Sequence, residues 1–295
     1  MVFVPFLFCL RMKHDQDLGE SKWTWQIREL IEGMAMRIGA MNHPAKDVIE
    51  EIRWIAENGF DFVDLTLEPP AADPSVLDLP SVRKALARYQ LGVVIHTAYY
   101  LPYAVPFRSV RAACREEFSH ALRAAHQIGA ELVTIHFSRP PRFFTDDQVV
   151  EWHRDIVDPL CAMAENWGIR IALEQIPFPN CDQMGIIQRL LDALPNLGFH
   201  LDSGHAQLER KGDLWYEYLE RFGARLCHVH LSENDGTSDQ HLPLGSVPHV
   251  GLDWPDRIAR LKAIPYDGTI TLEIFSAEPE YLLQSRNLLR RWWDS

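Results

Sequence analysis

The 295-residue chain lacks most of the features that assign a protein quickly. Cysteine is scarce: five residues, Cys9, Cys114, Cys161, Cys181 and Cys227, odd in number, scattered, and without a C-x-x-C. This argues against a disulfide framework and fits reduced thiols in a cytoplasmic protein, each best read as buried filler. No G-x-G-x-x-G and no P-loop occur, so the phosphate-cradling turns of nucleotide-binding folds are missing. Positive charge is in deficit, with 29 Lys and Arg against 41 Asp and Glu and a net charge of −12. That weighs against a broadly basic nucleic-acid footprint, although a local patch or a bound cation can reverse the field at a site. The apolar run Met1–Leu10 is too short for a bilayer and has neither a basic leader nor a clear cleavage site. No partner membrane is expected.

What is present is a sizeable core: 47% of the residues are hydrophobic. The length suits one barrel domain. Ser21–Ala35 has amphipathic character, and Met34 or Met36 reads as an alternative start, which leaves residues 1–35 as an extension outside a domain spanning 36–295.

From Met36 on, short apolar runs alternate with helical periods. Strands are predicted at Met36–Met41, Phe60–Leu67, Gly92–Thr97, Glu131–Phe137, Arg170–Ile176, Asn196–Leu201, Ala224–Leu231 and Gly268–Phe275. Helices are predicted at Asp47–Asn58, Ser81–Gln90, Ser109–Ile128, Thr145–Trp167, Asp182–Leu194, Leu214–Phe222, Pro255–Ala263 and Pro279–Trp293, several stopped by glycine. Strict alternation over eight units predicts an α/β fold of the (β/α)8 TIM-barrel type rather than an open sheet.

The strands repeatedly end in His, Asp or Glu. Ile171-Ala-Leu-Glu174 is the type example, joined by His96, His136, Asp202 with His205, His230, the loop pair Asp239 and His241, and Glu273. One histidine in an apolar run is more often a hydrogen-bonded core residue, and one strand-end glutamate more often pairs with an arginine. Their joint occurrence is informative, because carboxylates converging at one mouth raise one another's pKa unless a cation intervenes. At a period of two, His228 and His230 share a face, as do His200 and Asp202; the rim residues His230 and Asp202 are the better ligands, and His228 reads as a satisfied histidine one layer deeper.

These residues carry a resemblance. His96-Thr-Ala-Tyr-Tyr-Leu-Pro102, Leu201-Asp-Ser-Gly-His205, His228-Val-His-Leu-Ser-Glu-Asn-Asp235 and His241-Leu-Pro-Leu-Gly245 resemble the xylose isomerase-like barrel superfamily, which contains sugar and sugar-phosphate isomerases and epimerases and endonuclease IV. The epimerase branch implies one divalent ion (Zn, Mn, Mg or Co) on Glu174, Asp202, His230 and Glu273, with Glu174 and Glu273 moving the substrate proton. The endonuclease branch implies three zinc ions: one on His96, His136 and Glu174, a second bridged by Glu174 and completed by Asp202, His230 and Glu273, a third on His205, Asp239 and His241.

Two departures separate the branches. Met41-Asn-His-Pro44 is short and lacks the glycine-rich DNA-contacting loop of the nucleases, and Leu65-Thr-Leu-Glu-Pro-Pro70 resembles the sugar-isomerase branch. Gly245-Ser-Val-Pro-His-Val-Gly251 replaces a compact Gly-x-Gly. The favoured expectation is a metal-dependent isomerase or epimerase of a small sugar or sugar phosphate, working by proton transfer through a metal-stabilised enediolate, with Tyr99, Tyr100 and Phe107 walling off the sugar. The alternative is a zinc phosphodiesterase at abasic DNA, for which Arg108, Arg111, Arg139, Arg142 and Lys211 are the candidate phosphate contacts. A non-catalytic sensor barrel ranks third, and self-association is compatible with every reading.

Overall fold

The computed structural model describes residues 36–209, 212–264, 266 and 268–295. The expected N-terminal extension, Cys9 and Lys211 lie outside them. Eight parallel strands, β1 (Arg37–Met41), β2 (Phe62–Leu67), β3 (Gly92–Thr97), β4 (Leu132–His136), β5 (Arg170–Glu174), β6 (Leu197–Asp202), β7 (Leu226–Leu231) and β8 (Thr269–Leu272), close into a barrel in sequence order. β8 pairs with β1, so the described sheet has no open edge. Between and after the strands run α1 (Val48–Glu57), α2 (Leu79–Tyr89), α3 (Arg108–Ile128), α4 (Asp146–Glu165), α5 (Gln183–Ala193), α6 (Ser203–Gln207), α7 (Trp215–Phe222), α8 (Trp254–Ala263) and α9 (Glu280–Asp294). The predicted (β/α)8 architecture is the observed one.

Most predicted boundaries hold to within one or two residues, because local chemistry sets them. Asp47 accepts the Glu50 amide at 2.9 Å and opens α1. Thr145 and Gln148 cap α4 reciprocally, the Thr145 hydroxyl accepting from the Gln148 amide and the Gln148 side chain accepting from the Thr145 amide. Gly129 ends α3 at φ 86°, a backbone conformation a side chain resists. Two elements differ from expectation. β6 runs one residue further, to Asp202, and the five-residue α6 follows directly. Asp202 is the N-cap of α6, its Oδ1 accepting the His205 amide at 2.6 Å.

Alternation along each strand sorts the side chains into two cores. Outward residues such as Val63, Leu65, Ile95, Val133, Leu173, Leu201, Val229 and Ile270 join the helices in one large apolar cluster. Inward residues stack in layers. Phe62, Val94, Leu132 and Ala172 form a separate apolar floor. Two residues further along β2 and β4 come Asp64 and Thr134, which meet His228 of β7 and His200 of β6, all four buried. Above them, at the C-terminal ends, stand His96, His136, Glu174, Asp202 and His230. The period of two therefore lifts the chemistry from apolar to polar within one strand length.

The floor is tightly filled. A Cβ added at Gly39 in β1 would collide with the Phe62 ring. Gly39→Ala is expected to destabilise the barrel by about 1–3 kcal/mol, the cost of forcing volume into a packed interior. Urea unfolding of the variant against wild type checks this, with Thr145→Ala, worth about 1 kcal/mol through the lost cap, as a surface comparison.

Candidate metal centre at the barrel mouth

Glu174 closes β5 and is wholly buried, with four imidazoles within 3.4 Å and a fifth, His230, at 4.0 Å. Its Oε2 lies 3.3 Å from His96 Nε2, 3.4 Å from His136 Nε2 and 3.2 Å from His200 Nδ1. Its Oε1 lies 3.4 Å from His205 Nδ1. Burial alone would push this carboxyl up, but the charges and hydrogen bonds of His136, His200 and His96 hold it well below the usual carboxylate range. Register explains the meeting: His136 pairs with Glu174 across β4 and β5, and Glu174 with His200 across β5 and β6.

A second group shares Glu174. Donor atoms of Glu174, Asp202, His230 and Glu273 all lie within 4.8 Å of one another, and all four residues are buried. His230 Nδ1 stands 2.9 Å from Glu273 Oε2 and 3.8 Å from Asp202 Oδ2. Burial raises Asp202 to about 7, opposed by His205 and reinforced by Glu273 and Glu174. Glu273 is held down to about 2 although burial opposes it, because His241 and His230 face it.

The third group comes from the loop after β7. Glu233 and Leu242 exchange backbone hydrogen bonds of 3.0 and 2.7 Å, folding the loop back over the mouth. This carries Asp239 Oδ2 to 3.1 Å from His205 Nε2 and 3.3 Å from His241 Nε2. His241 adopts a left-handed φ of 50°, which a non-glycine residue holds only where its surroundings enforce it. Its amide-bearing neighbour strand end is tied down as well, since the Phe275 amide donates to the His241 carbonyl at 3.1 Å. Thus all nine residues expected as ligands converge on one mouth.

The donors fit a divalent cation. Glu174 Oε1, Asp202 Oδ2 and Asp239 Oδ1 are buried acceptors with no hydrogen-bond partner, an arrangement that a cation relieves. Four donors about 2.1 Å from one ion stand about 3.4 Å apart, a spacing bracketed in the quartet by the 2.9, 3.8 and 4.0 Å from His230 Nδ1 to oxygens of Glu273, Asp202 and Glu174. Three hard oxygens and one imidazole in the inner set suit zinc or manganese alike.

Several positioning residues escaped the sequence reading. Gln175 clamps β5 to β6: its Nε2 donates to the Asp202 carbonyl at 2.6 Å and its Oε1 accepts the Asp202 amide at 3.1 Å. Its own carbonyl stands 2.7 Å from His205 Nδ1. Asp64, in the middle of β2, reaches His228, His230 and Thr271. An acid inside a run of apolar residues was the available signal. His228 is satisfied in the deeper layer, as expected, with Thr269 Oγ1 2.5 Å from its Nδ1.

The aromatic and basic candidates divide. Tyr99 is 69% exposed at the mouth, its ring 6.1 Å from that of His136 and 5.3 Å from that of Tyr100. Phe107 precedes α3, exposed, and makes no ring contact among the described residues. Phe275, not anticipated, packs at 4.5 Å on His241. Tyr103 is the aromatic of the β3–α3 loop that is buried, its hydroxyl donating to the His136 carbonyl at 2.7 Å. Arg111 is a correction: it is buried, its Nε 2.7 Å from Asp155 Oδ2 and its Nη1 2.7 Å from the Val105 carbonyl, so it serves α3 packing and not a phosphate. Arg139 spends its guanidinium on the Pro177 and Phe178 carbonyls, while Arg108 and Arg142 are exposed. The four described cysteines form no disulfide; Cys114 and Cys161 are buried, Cys181 and Cys227 only partly so. No helix among the described residues is long and apolar enough to cross a membrane.

Comparison with known proteins bears on the fold and the family. An uncharacterized protein of Methanocaldococcus jannaschii is 24% identical over 268 residues, covering 86% of each chain. L-ribulose 3-epimerase of Methylomonas sp. strain DH-1 is 26% identical over 242 residues, covering 77% of this chain and 78% of the epimerase. Among solved structures, a D-tagatose 3-epimerase-like protein superposes with a TM-score of 0.77 at 22% identity, over 88% of this chain and 97% of its own. The model of the xylose isomerase-like TIM barrel matches residues 52–292, nearly the whole barrel, and the chain belongs to that family.

Proposed function

We propose that the protein is a divalent-metal-dependent epimerase of a small ketose. The observation that carries this reading is the buried quartet of Glu174, Asp202, His230 and Glu273, which places two glutamates against one candidate cation site. The similarity to an L-ribulose 3-epimerase supports it. A cation on these four residues would supply Lewis-acid polarisation of the substrate's carbonyl and hydroxyl oxygens.

The chain's own groups do the rest. Inverting a carbon next to a carbonyl needs a base on one face and an acid on the other. Glu174 on β5 and Glu273 just after β8 reach the site from separated strands of the ring, which suits opposite faces of one carbon. Neighbouring imidazoles hold both carboxyls below their usual range, which suits the one that takes the proton; the other must first take up a proton, for which His230 and His241 face Glu273, before it can return one to the opposite face. Asp202 spends Oδ1 on the His205 amide and leaves Oδ2 for the cation. Tyr99 and Phe275, on the β3 and β8 sides of the mouth, supply apolar walls for the sugar and limit water at the reacting carbon.

A second reading rests on one specific observation. Beyond the quartet, His96 and His136 stand at ligand-edge spacing from Glu174, and His205 and His241 do so from Asp239. Such a nine-donor set suits a phosphodiesterase with up to three ions acting at abasic DNA. The pairing of Arg111 and Arg139 within the protein leaves that reading short of phosphate contacts.

Three outcomes are expected. Incubation with L-ribulose and related ketoses in D2O should place deuterium at the epimerised carbon, and abasic duplex DNA should remain uncut; the reverse result establishes the phosphodiesterase. Glu174→Gln and Glu273→Gln should each lower kcat by about 10²–10⁴-fold, the usual worth of a positioned proton-transfer group. Addition of manganese to EDTA-treated protein should raise thermal stability, by about 2.7 kcal/mol at a free concentration 100 times Kd, and Asp202→Asn should abolish most of that gain in a melting experiment.

A further inference from the structure

Beneath the proposed cation site lies a carboxylate that the reaction scheme does not use. Asp64 sits two residues above Phe62 of the barrel floor and is wholly buried. Its Oδ2 gathers three donors: His230 Nε2 at 2.8 Å, His228 Nε2 at 3.1 Å and the Thr271 hydroxyl at 2.8 Å. It reaches them across the bore, since β2 and β7 are separated by β8 and β1 in the ring. The other oxygen, Oδ1, has no hydrogen-bond partner.

A carboxylate can only accept, so both facing Nε2 atoms carry their protons. For His228 this leaves Nδ1 as an acceptor, and the Thr269 hydroxyl stands there at 2.5 Å. For His230 it leaves Nδ1 as the atom that faces Glu273 at 2.9 Å and Asp202 at 3.8 Å; without a cation that nitrogen also carries a proton toward Glu273, and a bound cation would take the proton's place. The two histidines, one pleat apart on β7, thus both hold their Nε2 protons on one anion, and only the upper one turns its second nitrogen to the mouth.

We infer that Asp64 is a positioning residue for the cation site, holding the proton on His230 Nε2 so that Nδ1 is the nitrogen left to a cation shared with Glu174, Asp202 and Glu273. The inference rests on the metal-dependent reading above and names the group that selects the binding nitrogen. An anion is needed rather than a neutral acceptor because a charge-assisted bond both orients the ring and makes its far nitrogen more basic.

The test uses the full chain with Mn2+ or Zn2+ alone, and the readout is affinity by competition with a chromophoric chelator. Asp64→Asn keeps the size and removes the charge; binding is expected to weaken about 10–100-fold. Long-range 1H–15N spectra of the Zn2+-loaded chain should show His230 protonated at Nε2 in wild type, and a mixture of Nε2- and Nδ1-protonated rings in the variant. Thr271→Val removes another donor from the same oxygen without releasing His230, and should bind as wild type does. Unchanged affinity and an unchanged His230 signal in Asp64→Asn, with Asp202→Asn losing the ion, would overturn the inference while leaving metal dependence intact. Equal loss in Thr271→Val and Asp64→Asn would reduce the effect to packing and overturn it too. A wild-type chain that binds neither ion would remove both the inference and the reading beneath it.

Discussion

The structure depends on the balance of charge around one buried carboxylate. Glu174 has no exposed surface, and an isolated ionised carboxyl in such a place would cost several kcal/mol. It remains in the charged form because imidazoles from β3, β4, β6 and the start of α6 crowd its two oxygens. Those imidazoles are themselves buried and divide: burial lowers His136 to about 4 and takes His200 well below its ordinary range, whereas the facing carboxylates raise His96 and His205. The cluster is a set of strong ligands with too little positive charge of its own. Polar and acidic side chains placed this way make a cavity suited to a divalent ion more than a self-sufficient salt bridge.

The barrel is what makes this arrangement tolerable. Strand pairing in register fixes which residues meet, so His136, Glu174 and His200 sit side by side on three consecutive strands. The outer apolar cluster between sheet and helices supplies the stability, and the inner column is free to become polar as it rises. Loops then add what the strands cannot reach. The fold-back after β7 delivers Asp239 and His241, and Tyr103 and Gln175 tie neighbouring strand ends so that the ligands do not drift. A tie of this kind matters because small misplacements of reacting groups cost large factors in rate.

Much of this was legible in the sequence, for identifiable reasons. Eight short apolar runs separated by helical periods leave few topologies open, and Thr145, Gly59 and Gly129 mark helix ends by chemistry that acts locally. Glu174 and Glu273 were visible because each ends its run. Asp64 was not, because Phe62-Val-Asp-Leu-Thr-Leu67 reads as a half-apolar strand and its partners lie far along the chain, on β7 and β8. The five-residue α6 was hidden by Gly204 and by its length, too short for any period to register. Arg111 was misplaced for another reason: which face of a helix meets its neighbour is a tertiary fact, and α4 supplies the Asp155 that draws it inward.

Depth along one strand decides the role of chemically identical residues. His228 and His230 point into the same bore, both contact Asp64, and both are wholly buried. The lower ring finds Thr269 at its second nitrogen and Phe62 at 6.2 Å on the floor side, so its hydrogen bonds are complete within the protein. The upper ring finds carboxylates at its second nitrogen instead. Burial lowers His228, whereas Glu273 and Asp64 draw His230 well above the ordinary imidazole range despite equal burial. One pleat of strand, about 6.6 Å of rise for two residues, thus separates a histidine satisfied within the interior from one that faces carboxylates at the candidate cation site. The same logic separates His200, hydrogen-bonded to Thr134 in the interior, from Asp202 at the rim. Surroundings in this barrel therefore follow height in the bore as much as residue type, and the polar middle layer joins an apolar floor to the candidate ligands of the proposed cation site.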